Sequence, residues 1–325
     1  MESTPRENLR MTSATDLASR VRSELGKVIV GQRDALDQLL VVLLVGGHAL
    51  VEGVPGLAKT LAVKTLAHIF QMKFQRVQCT PDLMPADVLG ANVFSLATSS
   101  FTLHRGPIFT DLLLVDEINR TPPRTQSALL EAMEECQVTI DGTSHPLSQF
   151  FAVFATQNPI EFEGTYPLPE AQLDRFLVKI LIRYPDAEQE AQVLHNFQNG
   201  FDPRELDRVG IVPLPLDALQ AARQEVARVR VEPALFRYIV AIAARTRTWP
   251  AVSLGASPRA AINLMLVAKA IAATESRDFL IPDDVKAAAP PVLRHRLVIK
   301  PEADLEGVTA EQVVREVVNS VEVPK

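Results

Sequence analysis

The chain has 325 residues, 47% of them apolar and 22% charged, with 33 basic against 39 acidic side chains and a net charge of −6. That composition is globular rather than disordered, and the length fits one large domain or two ordinary ones. The acidic balance gives no support to sequence-independent nucleic-acid binding, which needs a basic surface.

The N-terminus, "MESTPRENLRMTSATD", is polar and mixed in charge, with no apolar leader segment. It reads as a frayed tail over residues 1–16 of a cytoplasmic protein. "DALDQLLVVLLVGG" has a helical pattern stopped by Gly46-Gly47. Its apolar run, Leu39 to Gly47, is far short of the ~20 residues of a membrane span. "HALVEG" is a short strand, and "LAKTLAVKTLAHIF" is a helix with Leu61, Thr65, Leu66 and Ile69 at helical spacing. "FQRVQC", "LLLVDE", "FFAVFATQN" and "RFLVKILI" are further strands. Strands alternating with helical segments predict a parallel α/β sheet, and the nearly continuous apolar runs predict cover on both faces. Two insertions interrupt the pattern, one a hairpin tipped at Ser99-Ser100 and one turning at Asp141-Gly142.

Beyond Tyr184-Pro185 the strands largely vanish. One helix is expected to bury Phe236, Ile239, Val240 and Ala243. A second has Ser257 as N-cap and Pro258 at its first position, with Ala261, Leu264, Met265 and Ala268 inward. Thr309 and Gln312 form a capping-box pattern for the last helix. The chain therefore divides into an α/β core, residues 1–185, and an all-helical domain, residues 186–325. Cys79 and Cys136 make no disulfide framework, and the six histidines show no metal-ligand spacing.

Five short segments carry chemistry. "EGVPGLAKT" fits the phosphate loop G-x-x-x-x-G-K-[ST] except that Ala58 replaces the glycine before Lys59. It follows a strand and opens a helix, the setting in which backbone N–H groups and a helix N-terminus meet phosphate oxygens. Lys59 would reach the β- and γ-phosphates of ATP, and the Thr60 hydroxyl would ligate Mg²⁺. Ala58 adds only a methyl group if its φ is negative, and it keeps its N–H, the group that touches phosphate. "LLLVDEINR" ends a buried strand in Asp116 and Glu117 at the sheet edge where open α/β sheets bind ligands. Asp116 would hold Mg²⁺, and Glu117 would polarise the attacking water. Asn158 ends the next long strand, where its amide can hydrogen-bond the γ-phosphate or the water. Arg175 and Arg259 can supply charge to a transferring phosphoryl group. The alternative for Arg175 is an ion pair with neighbouring Asp174 or Glu170. Arg259, near a helix start where cations are disfavoured, points to an anionic partner.

Taken in order, the loop form "GVPGLAK", "LLLVDEINRTPPRTQSALLEAMEE", "ATQNP", "PLPEAQLDRF" and "GASPRA" resemble a MoxR-family AAA+ ATPase over nearly the whole chain. The alanine before the lysine is the form that family uses. The resemblance implies an αβα core with a five-stranded parallel sheet, a helical lid, and a homo-oligomeric ring, usually hexameric, with ATP at each subunit interface. It implies a nucleotide-binding stretch of Gly53, Val54, Pro55, Gly56, Leu57, Ala58, Lys59, Thr60 and Leu61. It places Val30, Gly31 and Gln32, in "VIVGQ", against the adenine. By it Asp116 and Glu117 form Walker B, Asn158 is sensor 1, Arg175 the arginine finger and Arg259 sensor 2. The two hairpins resemble the helix-2 insert and the pre-sensor-1 hairpin. Members of the family are chaperone-like machines that work with a von Willebrand factor A-domain protein to mature, or insert cofactors into, a client enzyme or complex. The rivals are a metal-chelatase motor subunit, a nucleic-acid motor and a nucleotide-gated scaffold without turnover. A transcription activator of this class would carry GAFTGA, which is absent.

Overall fold

The computed structural model describes residues 13–97, 99–159 and 164–324. Of the expected tail, residues 1–12 lie outside the described residues. The rest is ordered structure: Ser13 caps α1 (Ala14–Gly26) by accepting from the Asp16 N–H. Then come α2 (Arg33–Val45), β1 (Ala49–Glu52), α3 (Lys59–Ile69) and β2 (Phe74–Gln78). The first insertion comprises α4 (Pro85–Leu89), β3 (Gly90–Ser95) and β4 (Ser100–Arg105). It is followed by β5 (Leu112–Asp116) and α5 (Pro123–Glu135), and then by the second hairpin, β6 (Gln137–Ile140) and β7 (Thr143–Pro146). The core closes with β8 (Ala152–Gln157), α6 (Glu170–Leu173) and β9 (Val178–Leu181).

The main sheet is five-stranded, in the order β2-β5-β8-β1-β9, and every pairing in it is parallel. Alternation along β5 explains the layers. Leu112 and Leu114 face one hydrophobic cluster, which contains α1 to α3 and the later helices. Leu113 and Val115 face the other, built on α5 and the insertions. All four are 2% exposed or less. The second hairpin turns on Asp141 (φ 48°) and Gly142 (φ 80°), as a turn with two left-handed residues requires. Its Asp141 carboxylate accepts from Asn92 Nδ2 of the first hairpin at 2.9 Å, so the two insertions are tied together.

The remaining elements are α7 (Ala187–Gln198), α8 (Leu216–Arg228), α9 (Pro233–Arg247), β10 (Val252–Leu254), α10 (Pro258–Thr274), α11 (Pro282–Leu293), β11 (Val298–Ile299), α12 (Pro301–Leu305) and α13 (Ala310–Ser320). This half is helical but carries one small antiparallel ribbon, β10-β11, where an all-helical domain is expected. Its hydrophobic cluster is continuous with that of α1 to α3. Along α9 the buried stripe is Leu235, Tyr238, Ile239, Ile242, Ala243 and Thr246, whereas Phe236 and Val240 are exposed. The two stripes share Ile239 and Ala243, and periodicity alone does not choose between faces one residue apart. In α10, Ser257 does cap the helix, and Leu264 and Ala268 are buried, but Ala261 and Met265 are only half-buried. Thr309 caps α13, while the Gln312 amide bonds Glu316 instead of returning to complete a capping box. Both cysteines are free. No described helix is long and apolar enough to cross a membrane.

Candidate active site

Parallel strands put all their C-terminal ends on one edge of the sheet. β1 delivers Gly53, and the loop Gly53–Ala58 runs into α3 at Lys59. The first-turn N–H groups of α3 have no carbonyl one turn earlier within the helix, so that helix end is an anion cradle. Two glycines have distinct reasons to be there. A Cβ at Gly53 would sit 2.8 Å from the Ile182 carbonyl oxygen, so the backbone just beyond β9 leaves no room for a side chain. Gly56 has φ 86° with open space where a Cβ would go, so it serves the left-handed turn. Ala58 has φ 56°, so the condition of negative φ under which its methyl group would be free of strain is not met. The loop must reverse before α3 starts, and the alanine takes that reversal in the left-handed region. The Lys59 ammonium folds back on the Gly53 carbonyl oxygen, across the mouth of the loop.

Beside the loop, Asp116 is 6% exposed and fully engaged. One carboxylate oxygen accepts from Thr156 Oγ1 at 3.0 Å. The other faces Thr60 Oγ1 at 3.4 Å and accepts from Arg76 Nε at 2.6 Å. The Glu117 N–H donates to the same Thr156 hydroxyl at 2.9 Å. A single threonine therefore fixes both the Asp116 side chain and the Glu117 backbone, which turns through φ 59°. Glu117 Oε2 accepts from Gln78 Nε2 at 2.9 Å and from Arg120 Nη1 at 3.2 Å. Asn158 is buried and follows Gln157, whose partner across β1 is Glu52, so it stands level with Gly53. Sequence reasoning missed Arg76, Gln78 and Thr156. The signal was there: Arg76 and Gln78 alternate onto one face at a strand end, and Thr156 is a hydroxyl closing an apolar run.

Among the described residues no three His, Cys, Asp or Glu side chains converge on a metal position. Thr60 and Asp116 nevertheless offer hard oxygen donors beside a phosphate cradle. That set suits Mg²⁺, which prefers few protein ligands and completes its shell with water and phosphate. Val30, Gly31 and Gln32 precede α2, and the Gln32 amide donates to the Arg183 carbonyl, one residue beyond the Ile182 that abuts Gly53. Gly31 and Gln32 both take left-handed backbone (φ 69° and 57°), and Val30 and Gly31 line a cavity of about 590 Å³ with Ile29, Leu36, Gln192 and Asn196.

The two candidate arginines lie elsewhere. β9 runs parallel to β1, with Val178 opposite Ala49 and Leu181 opposite Glu52. Arg175 precedes β9, so it occupies the sheet edge opposite the phosphate loop. Its partner is neither Asp174 nor Glu170. Arg175 Nε lies 3.2 Å from Glu134 Oε2, at the end of α5, and Arg259 of α10 binds the other oxygen of Glu134. The structure thus brings Arg175 and Arg259 together, as it brings Lys59, Thr60, Asp116 and Glu117 together, and keeps the two groups apart. His48 underlies the arginine edge. Its Nε2 bonds the Met133 carbonyl at 3.0 Å and its Nδ1 accepts from the Val153 N–H at 3.0 Å. Burial pushes its pKa down to about 4.

The chain is similar to known proteins over nearly its whole length. The family described as "ATPase family associated with various cellular activities (AAA)" matches residues 48–178, and the AAA lid domain matches residues 244–317. The uncharacterised YeaC of Bacillus subtilis is 46% identical over 95% of this chain and 95% of its own length. Chaperone MoxR1 of Mycobacterium tuberculosis is 41% identical over 93% of this chain and 81% of its own. A crystal structure from Cytophaga hutchinsonii, assigned as an ATPase, superposes with a TM-score of 0.87 at 41% identity, covering 96% of each chain. The AAA match followed by the lid match, and the 41% identity to a MoxR protein over nearly the whole chain, show that this chain belongs to the MoxR family of AAA+ ATPases.

Proposed function

We propose that this protein hydrolyses ATP between adjacent subunits of a ring and uses the cycle to remodel a client protein. The observation that carries the reading is the separation of the charges. Lys59, Thr60, Asp116 and Glu117 lie on one edge of the sheet, and Arg175 and Arg259 lie on the other. An arginine finger supplied by a neighbour needs this polarity, because one subunit's arginine edge can face the next subunit's phosphate loop.

Within the loop, Gly53 to Leu61 hold the triphosphate by backbone N–H groups, and the Lys59 ammonium leaves the Gly53 carbonyl for the β- and γ-phosphates. Val30, Gly31 and Gln32 border the adenine. Thr60 and Asp116 would hold Mg²⁺, whose charge would offset that of the phosphates. Glu117, oriented through Thr156 and Gln78, accepts a proton from the attacking water, and Asn158 fixes that water or the γ-phosphate. Arg175 and Arg259 of the adjacent subunit stabilise the charge on the transferring group. Residues 1–185 act as the core and 186–325 as the lid. The kinship with a protein named as a chaperone supports client remodelling. The family resemblance extends this to a hexamer, to a von Willebrand factor A-domain partner, to a client enzyme or complex, and to the cytoplasm.

The test mixes two inactive proteins. Glu117→Gln keeps its arginines but has a disabled site, whereas Arg175→Ala keeps its site but lacks the finger. Phosphate release that returns on mixing, and is absent from either alone, is expected. Exchange of subunits without recovery would overturn the reading.

A further inference from the structure

The most completely bonded cation in the described chain is Arg296, just beyond α11, and none of the roles above uses it. Its side chain is 1% exposed. A guanidinium has five N–H donors, and here each has an acceptor. Nε donates to Asp174 Oδ1 at 2.7 Å. Nη1 donates to the carbonyls of Leu177, at 3.2 Å, and of Val292. Nη2 donates to the carbonyls of Asp174, at 3.1 Å, and of Phe176. Four of the five acceptors belong to Asp174–Leu177, the turn that presents Arg175. Asp174 has a second tie: its Oδ2 accepts from Ser257 Oγ at 2.9 Å. Ser257 is the N-cap of α10, two residues before Arg259. Asp174 thus joins the backbone that carries one arginine to the helix start that carries the other.

We infer that Asp174 and Arg296 are positioning residues that fix Arg175 and Arg259 as one rigid two-arginine face, so that core and lid present both charges to a neighbouring subunit together. The inference rests on the trans reading proposed above. Arg175 and Arg259 point outward to Glu134, where both are partly exposed. Their side chains have many rotamers, and nothing at Glu134 fixes the backbone beneath them. Arg296 does so from inside. A lysine at 296 has three donors and no planar fork, so it cannot reproduce five bonds to a curved turn. Geometry matters because a displacement of about 1 Å in a group that stabilises a transition state can cost on the order of 10²-fold in rate.

The experiment uses the full chain with Asp174→Asn and, separately, Arg296→Lys. Affinity for a fluorescent ATP analogue and the melting temperature are read on each preparation. Expected are unchanged nucleotide affinity and a turnover lowered roughly 10- to 100-fold. Two further readouts separate positioning from general damage. Mixing Asp174→Asn with Glu117→Gln should restore part of the phosphate release, because the Glu117→Gln subunit lends an intact arginine face. The triple variant Arg175→Ala/Arg259→Ala/Asp174→Asn should be no slower than Arg175→Ala/Arg259→Ala, because Asp174 then has no arginine left to position. Should Arg296→Lys not fold, Asp174→Asn decides the question. Full turnover in Asp174→Asn, an additive loss in the triple variant, or a loss that mixing does not repair would each overturn the inference while leaving the trans reading intact. If Arg175→Ala and Glu117→Gln do not complement each other, the trans reading fails and the positioning inference falls with it.

Discussion

Arg175 Nε lies 3.2 Å from Glu134 Oε2, in a pair whose side chains are 30% and 36% exposed. Partly exposed pairs of this kind contribute about 0–1 kcal/mol. Charge-assisted bonds from arginine to phosphate are stronger, so leaving Glu134 is a small cost beside what a triphosphate offers. Glu134→Gln should therefore change stability by less than about 1 kcal/mol and turnover by less than about tenfold. Arg175→Ala should lose a factor of ~10³ or more. Urea unfolding and phosphate release check both. A Glu134→Gln protein as slow as Arg175→Ala would place Glu134 itself at the reaction centre.

Removing the Lys59 ammonium should separate binding from chemistry. Lys59→Ala is expected to weaken ATP affinity at least tenfold, since a charge-assisted contact of roughly 1.5–3 kcal/mol is lost. Glu117→Gln should bind normally and turn over very slowly. Titration with a fluorescent ATP analogue checks the first, and single-turnover phosphate release checks the second. Equal affinity in Lys59→Ala and the parent chain would refute the loop assignment.

The backbone at Ala58 gives a stability test. A left-handed residue with a Cβ costs roughly 1–2 kcal/mol, and glycine escapes most of it. Ala58→Gly should raise the melting temperature by a few degrees at most, because glycine also gains freedom in the unfolded chain. ATP affinity should be unchanged. Ala58→Val should lower both. A melting temperature that falls clearly in Ala58→Gly would mean that the methyl group packs against something the loop needs.

His48 gives a pH test. Its pKa, ordinarily 6.5, is held down to about 4 by burial, and its Nδ1 must stay unprotonated to accept from Val153. The unfolded chain therefore binds the proton first as pH falls. The stability associated with a neutral His48 is fully present above about pH 6.5. It declines as pH falls towards 4, by at most on the order of 3 kcal/mol. His295, also depressed chiefly by burial, acts in the same direction. The urea midpoint should drop between pH 7 and pH 5 in the parent chain and drop less in His48→Gln. Identical slopes in the two proteins would remove His48 from the account.

The legible parts of the molecule were those where one local pattern has one structural meaning. Four apolar residues ending in Asp116 and Glu117 can only be a buried strand whose acids emerge at its end, and the Gly-rich loop between strand and helix is equally local. The five-strand sheet followed from such segments. What stayed hidden depends on pairs distant in sequence. Nothing in "LLEAMEE" marks Glu134 as the partner of Arg175 and Arg259, because the three meet only when α5, the turn before β9 and α10 converge. The relay through Thr156 joins residues 39 and 40 positions apart. The φ of Ala58 is set by where α3 must point, and the buried face of α9 by its neighbours, neither of which periodicity reports.

The direction of the sheet also limits which assemblies can work. On the trans reading, with loop and arginines on opposite edges, each subunit is a donor on one side and an acceptor on the other. Two subunits in contact then complete one site and leave one bare. Any open row, however long, keeps an idle loop at one end and an unused arginine pair at the other. Only closure gives every loop a donor, so specific activity counts neighbours rather than molecules. A subunit poisoned at its arginine face silences the site next door while its own continues to fire.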